Sequence, residues 1–174
     1  MRKLKSIDYK LLFELMKDSK RSDRELAKVL KVSQPTITRK RTMLEKEALD
    51  GYTAVPKWEK LGYELVAFTL VKHRVKYAKP EVRKEAFSRV EEWMMNQPNV
   101  IFAVEGQGMG WDGAFISFHK NYSNFAEFIR KHDSDLSDLL VDRESFVATT
   151  KQTNTRKPFH LKYLAKEKLE NPEI

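Results

Sequence analysis

The sequence predicts an α+β protein in two parts, three short helices followed by a four-stranded sheet with two helices. Three observations predict it. Apolar residues recur at helical spacing up to about residue 50. From residue 63 onward, β-branched and aromatic runs of strand length alternate with helical stretches. The basic excess is concentrated at the front, where residues 1–50 hold 14 Lys/Arg against 8 Asp/Glu. The expected division is a helical domain over 1–50, a strand linker over 51–62, a second domain over 63–150 and a basic tail over 151–174.

A first helix is expected from a Ser6 cap to about Lys17, burying Ile7, Leu11, Leu12 and Leu15. Ser22 followed three residues later by Glu25 has capping-box spacing and starts a second helix. Its apolar stripe is Leu26, Val29 and Leu30, with Ala27 small enough for close helix approach. Lys31-Val32 makes a turn, and Ser33 caps a third helix with Pro35 in its first turn, where a missing N–H does no harm. On that helix Ile37, Leu44 and Ala48 line one side. Pro35, Thr36, Arg39 and Thr42 project from the other, flanked by Thr38 and Met43. A capped helix with one buried face and one polar, cationic face, after a short helix and a tight turn, is what a helix-turn-helix needs to enter a DNA groove.

Gly51 to Pro56 reads as a short strand leaving this domain, ended by a proline that cannot donate to a ladder. Glu64 to Lys72 reads as a strand, and Pro80 opens a helix with Ala86, Phe87, Val90, Trp93 and Met94 on its apolar stripe, stopped at Gln97-Pro98-Asn99. Val100 to Glu105 and Ala114 to His119 read as an antiparallel pair around a glycine-rich loop, Gly106 to Gly113. Ser123 caps a last helix with Phe125, Phe128 and Ile129 inward, and Ser145 to Thr150 closes the sheet. The order β-α-β-β-α-β is that of a ferredoxin-like sandwich with both helices on one face. Its other face must also be buried, and homodimerisation is the expected cover. In the tail, Leu161, Leu164, Ala165 and Lys168-Leu169 allow one amphipathic helix, a frayed terminus being the alternative.

With no cysteine among 174 residues, a disulfide framework, a thiolate metal site and a thiol nucleophile are all excluded. His73, His119, His132 and His160 lack metal-ligand spacing, and no Ser-x-x-Lys, Gly-x-Ser-x-Gly or Walker pattern is present. No apolar run approaches membrane-span length and no signal-peptide core is present, so a cytoplasmic protein without membrane, metal or cofactor is expected. Residues 99–150 carry 4 Lys/Arg against 8 Asp/Glu, so the overall charge of +8 is not evenly spread. The cations gather around the third helix, as phosphate binding requires.

Several segments together resemble the Lrp/AsnC ("feast/famine") transcription regulators. They are Ile7-Asp8-Tyr9-Lys10-Leu11-Leu12, Ser22-Asp23-Arg24-Glu25-Leu26-Ala27, Val32-Ser33-Gln34-Pro35-Thr36-Ile37, Leu44-Glu45-Lys46-Glu47 and Gly51 to Pro56. The likeness is specific over residues 4–65 and continues as element order to about residue 150. It implies a sequence-specific DNA-binding regulator, dimeric or larger, whose second domain binds an effector such as an amino acid. Carried onto this chain, it puts Gln34, Thr36, Thr38 and Arg39 near base edges, with Ser33, Lys40 and Arg41 on phosphates. Two residues depart from the pattern. Arg41 stands where the family places an inward aliphatic, and Ala48 where it commonly has glycine.

For the effector, the resemblance points to Gly106, Gly108, Trp111 and Asp112, with glycine amides for a carboxylate and Asp112 for an amine. The competing reading is an ordinary hairpin loop with an aspartate in its turn. Two alternatives for the whole chain stay open. One is an enzyme like the siroheme decarboxylases, which resemble the same two-domain fold but carry a histidine-arginine-rich motif not found here. The other is an architectural DNA-binding protein with little sequence preference.

Overall fold

The computed structural model describes residues 3–74, 79–151 and 155–166. It divides into two compact units. The first runs to Val55 and also takes in the segment from Pro158 onward, while the second spans Pro56–Lys157.

The first unit holds α1 (Ser6–Lys17), α2 (Asp23–Leu30) and α3 (Gln34–Glu47). Leu11, Leu15, Leu26, Ala27, Ile37 and Leu44 are its buried core, with Leu4, Leu12, Leu30 and Leu49 packed against it. Several expectations need correcting. The cap of α1 is Lys5 rather than Ser6, and the Lys5 N–H donates to the Asp8 carboxylate at 2.8 Å. Val29 is exposed, because on so short a helix Leu26 and Ala27 already fill the contact with α3. Ala48 is likewise exposed, since α3 ends at Glu47 and Leu49 folds back to donate its N–H to the Leu44 carbonyl at 2.9 Å.

Gly51 to Pro56 forms no strand. A strand needs a hydrogen-bonding neighbour, and no strand among the described residues pairs with it. Tyr52 instead donates its hydroxyl to Glu45 at 2.9 Å. The tail segment Leu161–Lys166 is a 3₁₀ helix packed on α1 with Ala165 buried, not an α-helix; Lys168 and Leu169 lie outside the described residues.

The second unit is built from β1 (Leu65–His73), α4 (Pro80–Met95), β2 (Val100–Gly108), β3 (Trp111–His119), α5 (Tyr122–Asp135) and β4 (Leu140–Thr149), after a 3₁₀ turn at Trp58–Leu61. The strands form one sheet in the order β2-β3-β1-β4 with every neighbouring pair antiparallel, the expected ferredoxin-like topology. One face packs Ala67, Val71 and Phe115 against Phe125, Phe128 and Ile129 of α5, with Trp93 of α4 beside them. The cap of α5 is Asn121, not Ser123, its side-chain oxygen accepting the Asn124 N–H at 2.9 Å.

The opposite face carries a cross-strand row. Phe102 pairs with Ile116, Ile116 with Phe68, and Phe68 with Phe146. Phe68, Phe102 and Phe146 are exposed, Phe146 at 70%. At one end of this face Trp58 stacks on Phe118 with ring centroids 4.1 Å apart, and that ring covers this end of the face.

The loop expected over Gly106 to Gly113 is a tight turn instead. β2 continues through Gly108, β3 begins at Trp111, and the two turn residues, Met109 (φ 51°) and Gly110 (φ 84°), are both left-handed. Two consecutive left-handed residues match the twist of the flanking strands, so the ladder extends to the tip.

Candidate nucleic-acid interface

The predicted capping box closes α2. Ser22 N–H donates to Glu25 Oε2 at 2.8 Å and Glu25 N–H to Ser22 Oγ at 3.3 Å. Hydrogen bonds from the Ser22 side chain and backbone hold the Glu25 carboxyl below its ordinary range. Lys31 takes the left-handed conformation (φ 55°) that ends α2, and α3 begins three residues later with Pro35 in its first turn. Ser33 occupies the N-cap position, but its hydroxyl meets the Thr36 hydroxyl at 2.8 Å rather than a backbone N–H.

Only Ile37 and Leu44 of α3 are fully buried apolar side chains. With about 100° of rotation per residue, Arg41 lies about 40° to one side of this stripe and Lys40 about 60° to the other. Both turn back onto the unit. Lys40 Nζ pairs with the buried carboxylate of Asp8 on α1. Arg41 Nε lies 3.0 Å from Asp23 on α2, and a second Arg41 nitrogen donates to the Arg21 carbonyl at 2.7 Å. Thr38 also turns toward α2, donating to Asp23 Oδ2 at 2.6 Å. Arg21 in turn pairs with Glu14 of α1.

The sequence-derived set therefore splits. Gln34 and Arg39 are exposed and Thr36 is half-buried at the start of the outer face, where Pro35 and Thr42 are also exposed. Arg39 makes no ion pair among the described residues. Thr38, Lys40 and Arg41 are engaged with acids of the neighbouring helices. The acids that hold these side chains, Asp8 and Asp23, are site residues that the helix pattern of α3 alone does not reveal. A signal existed for Asp8, because it sits on the buried stripe with Leu11, Leu12 and Leu15, where a carboxylate requires a cation.

Of the four expected effector residues, Gly106 and Asp112 line a cavity of about 540 Å³ together with His73, Arg83, Lys84, Phe87 and Glu105. Gly108 and Trp111 pair across the hairpin tip and do not line it. Beside it, a second cleft of about 710 Å³ between α4 and the β2–β3 hairpin is walled by Val71, Phe87, Val90, Met94 and Phe115. Asp112 accepts the His73 N–H at 3.1 Å. Burial pushes the His73 imidazole below its ordinary value, against the opposing pull of Asp112 and Glu105. Among the described residues no group of His, Cys, Asp and Glu is arranged to hold a metal ion, and no helix is long and apolar enough to cross a membrane.

Comparison with known proteins bears on the same segments. The AsnC-type helix-turn-helix domain family matches residues 4–45. The leucine-responsive regulatory protein of Rhizobium meliloti is 39% identical over 127 residues, 72% of this chain and 77% of that protein. An uncharacterised helix-turn-helix transcriptional regulator of Pyrococcus abyssi is 40% identical over 76 residues, 43% of this chain, and the match spans about half of that relative, 51% of its length. Among solved structures, a transcriptional regulator of Neisseria meningitidis in complex with L-Met has the same fold, with a TM-score of 0.72 at 23% identity over 92% of this chain and 99% of that one.

Proposed function

The chain belongs to the Lrp/AsnC family of DNA-binding transcription regulators, a family of regulators and not of enzymes; on that premise we propose that it binds double-stranded DNA sequence-specifically through the outer face of α3. The observation that carries the reading is the separation of roles around that helix. Gln34, Thr36 and Arg39 stand toward the outer face of a helix whose Thr38, Lys40 and Arg41 are tied to acids of its neighbours. Arg39 supplies the fork that suits a guanine edge, and Gln34 an amide suited to adenine. Ser33 at the helix start is the phosphate contact, its position near the positive end of the helix dipole favouring an anion. Thr38, Lys40 and Arg41 hold the helix that contacts DNA.

The protein works in the cytoplasm as a homodimer, or a larger assembly of dimers, closed over the Phe102–Ile116–Phe68–Phe146 row. Two α3 helices then enter successive major grooves of a pseudo-palindromic site. The cavity at Gly106 and Asp112 is the effector site. Lys84 and Arg83 suit a carboxylate, Glu105 and Asp112 suit an ammonium group, and the adjoining apolar cleft suits a side chain. An amino acid has this division of charge and apolar surface, and the L-Met bound by the Neisseria relative is of that class.

The deciding experiment is selection of bound fragments from genomic DNA by the full chain, with and without a panel of amino acids, followed by Arg39→Ala. Loss of roughly tenfold or more in affinity, with relaxed preference at one base pair, is expected. Unchanged binding to the selected sites would show that α3's outer face is not the reader. A steep salt dependence with no preferred fragment would favour an architectural role.

A further inference from the structure

The apolar contact that seats α3 is small, since only Ile37 and Leu44 of its 14 residues are fully buried apolar side chains. Ile37 and Leu44 stand one above the other, and half-buried Met43 is the one further apolar side chain of α3 packed on that core, so the apolar contact is narrow and leaves part of the helix's roll to polar contacts. Polar contacts stand on both sides of that stripe. On one flank Lys40 reaches Asp8 of α1. On the other, Asp23 accepts the Thr38 hydroxyl at 2.6 Å and forms an ion pair with Arg41, whose Nε lies 3.0 Å from it without a hydrogen bond. Arg41 also ties to the Arg21 carbonyl at 2.7 Å, and Arg21 to Glu14 of α1. Asp23 is the first residue of α2, so its carboxylate also sits where the helix dipole favours a negative charge.

Directional, charge-assisted bonds fix orientation in a way that apolar contacts do not. We propose that Asp23 is a positioning residue for DNA reading: by holding Thr38 and Arg41 it sets the roll of α3 and keeps the Arg41 charge away from phosphates, so that Arg39 and Gln34 meet base edges in one register. Asp8 does the same on the opposite flank through Lys40. The inference rests on α3 being the reading helix. It accounts for Arg41 standing on the inner side of that helix, where an aliphatic residue would pack but could not orient.

The test uses the full chain, a selected high-affinity fragment and a scrambled duplex of equal length, with affinities measured across a salt series. Asp23→Asn keeps the size of the side chain and removes its charge. The ratio of specific to non-specific affinity is expected to fall roughly tenfold. The salt slope on scrambled DNA should steepen by about one, because the released Arg41 becomes available to a phosphate. Arg41→Met keeps the packed stem and removes the guanidinium, so the ratio falls without any steepening. A purely structural role gives a different result, in which both affinities fall by one common factor as the folded fraction falls; that outcome, or an unchanged ratio in both variants, overturns the proposal. If the wild-type chain itself shows no preference for any fragment, the reading helix and the positioning role fall together, which separates that failure from a wild type with clear preference whose variants keep it.

Discussion

The carboxylate of Asp112 accepts the backbone N–H of His73 at 3.1 Å, tying the β2–β3 hairpin to the end of β1. That bond lies just where β1 leaves the ladder with β3, whose last paired residues are Val71 and Gly113. It continues the sheet by one further contact after the backbone partners run out, and it forms one wall of the cavity beside Arg83 and Lys84.

Asp112→Ala should therefore lower stability by about 1–3 kcal/mol, the usual result of leaving a part-buried N–H without its acceptor. Chemical denaturation of the full chain measures it. Backbone hydrogen exchange assigns it, with faster exchange expected at His73 and no change in α1 to α3. A loss of protection confined to the first unit would contradict the role given to this bond.

Lys40 and Arg39 are adjacent cations with opposite surroundings, and their substitution separates stability from recognition. Lys40→Met takes the cation from Asp8, a carboxylate that is only 2% exposed. Removing one partner of a buried pair costs about 3–5 kcal/mol. Arg39→Ala removes an exposed side chain and should change stability by no more than about 0.5 kcal/mol. Urea midpoints of the two variants check the contrast, and equal midpoints would mean that Lys40 is not Asp8's main partner.

These two cations also show how much was legible beforehand. Helix positions follow from local periodicity and caps, so α2 and α3 stand where Ser22, Glu25, Ser33 and Pro35 put them. The caps misassigned at Ser6 and Ser123 lie one and two residues from Lys5 and Asn121, because neighbouring positions compete for the same free N–H groups. The hairpin was misread for a different reason. Glycines at 106, 108, 110 and 113 suggest a loop, yet only Gly110 uses a left-handed φ, and the others lie in strands. The outward residues of α3 were legible from its period. Which of its polar residues are held back was not, because Asp8–Lys40 spans 32 residues and Asp23–Thr38 spans 15, and such pairings are set by packing rather than by local spacing.

Acid should weaken the second unit through three buried imidazoles. Burial pushes His73, His119 and His132 below the ordinary value of 6.5. Around His132, Asp133 at 3.2 Å opposes the shift, while Arg143 and His73 add to it. His119 accepts or donates a hydrogen bond with Ser117 at 2.8 Å and packs edgewise on Phe125. Each group is neutral in both states well above 6.5, so it adds no pH dependence there. Below about 6.5 the unfolded chain takes up protons that the folded chain resists, and stability declines as the pH falls toward the lowered folded values. Thermal midpoints should be flat from about pH 8 to 7 and drop from about pH 6.5 downward, with His132→Gln giving a shallower drop. A midpoint that rises on acidification would exclude these histidines as the dominant groups.

The open face of the sheet gives the sharpest prediction on assembly. Phe146 is paired with Phe68 in register, their ring centroids 6.4 Å apart, and both project from the face opposite α4 and α5, where they are exposed. Aromatic side chains that become fully buried in an interface carry a disproportionate share of its energy, about 2 kcal/mol or more each. Phe146→Lys should weaken self-association by roughly thirtyfold or more on that basis. Because the side chain contributes little to the core on the other face, the variant should still fold, with unchanged hydrogen exchange in α5. Sedimentation velocity across a concentration series reads the mass directly. On DNA, a monomeric variant presents a single α3 helix, so it should bind half-sites as well as full sites and lose dependence on their spacing. A variant that keeps the wild-type mass at low concentration would place the self-association surface elsewhere on the molecule.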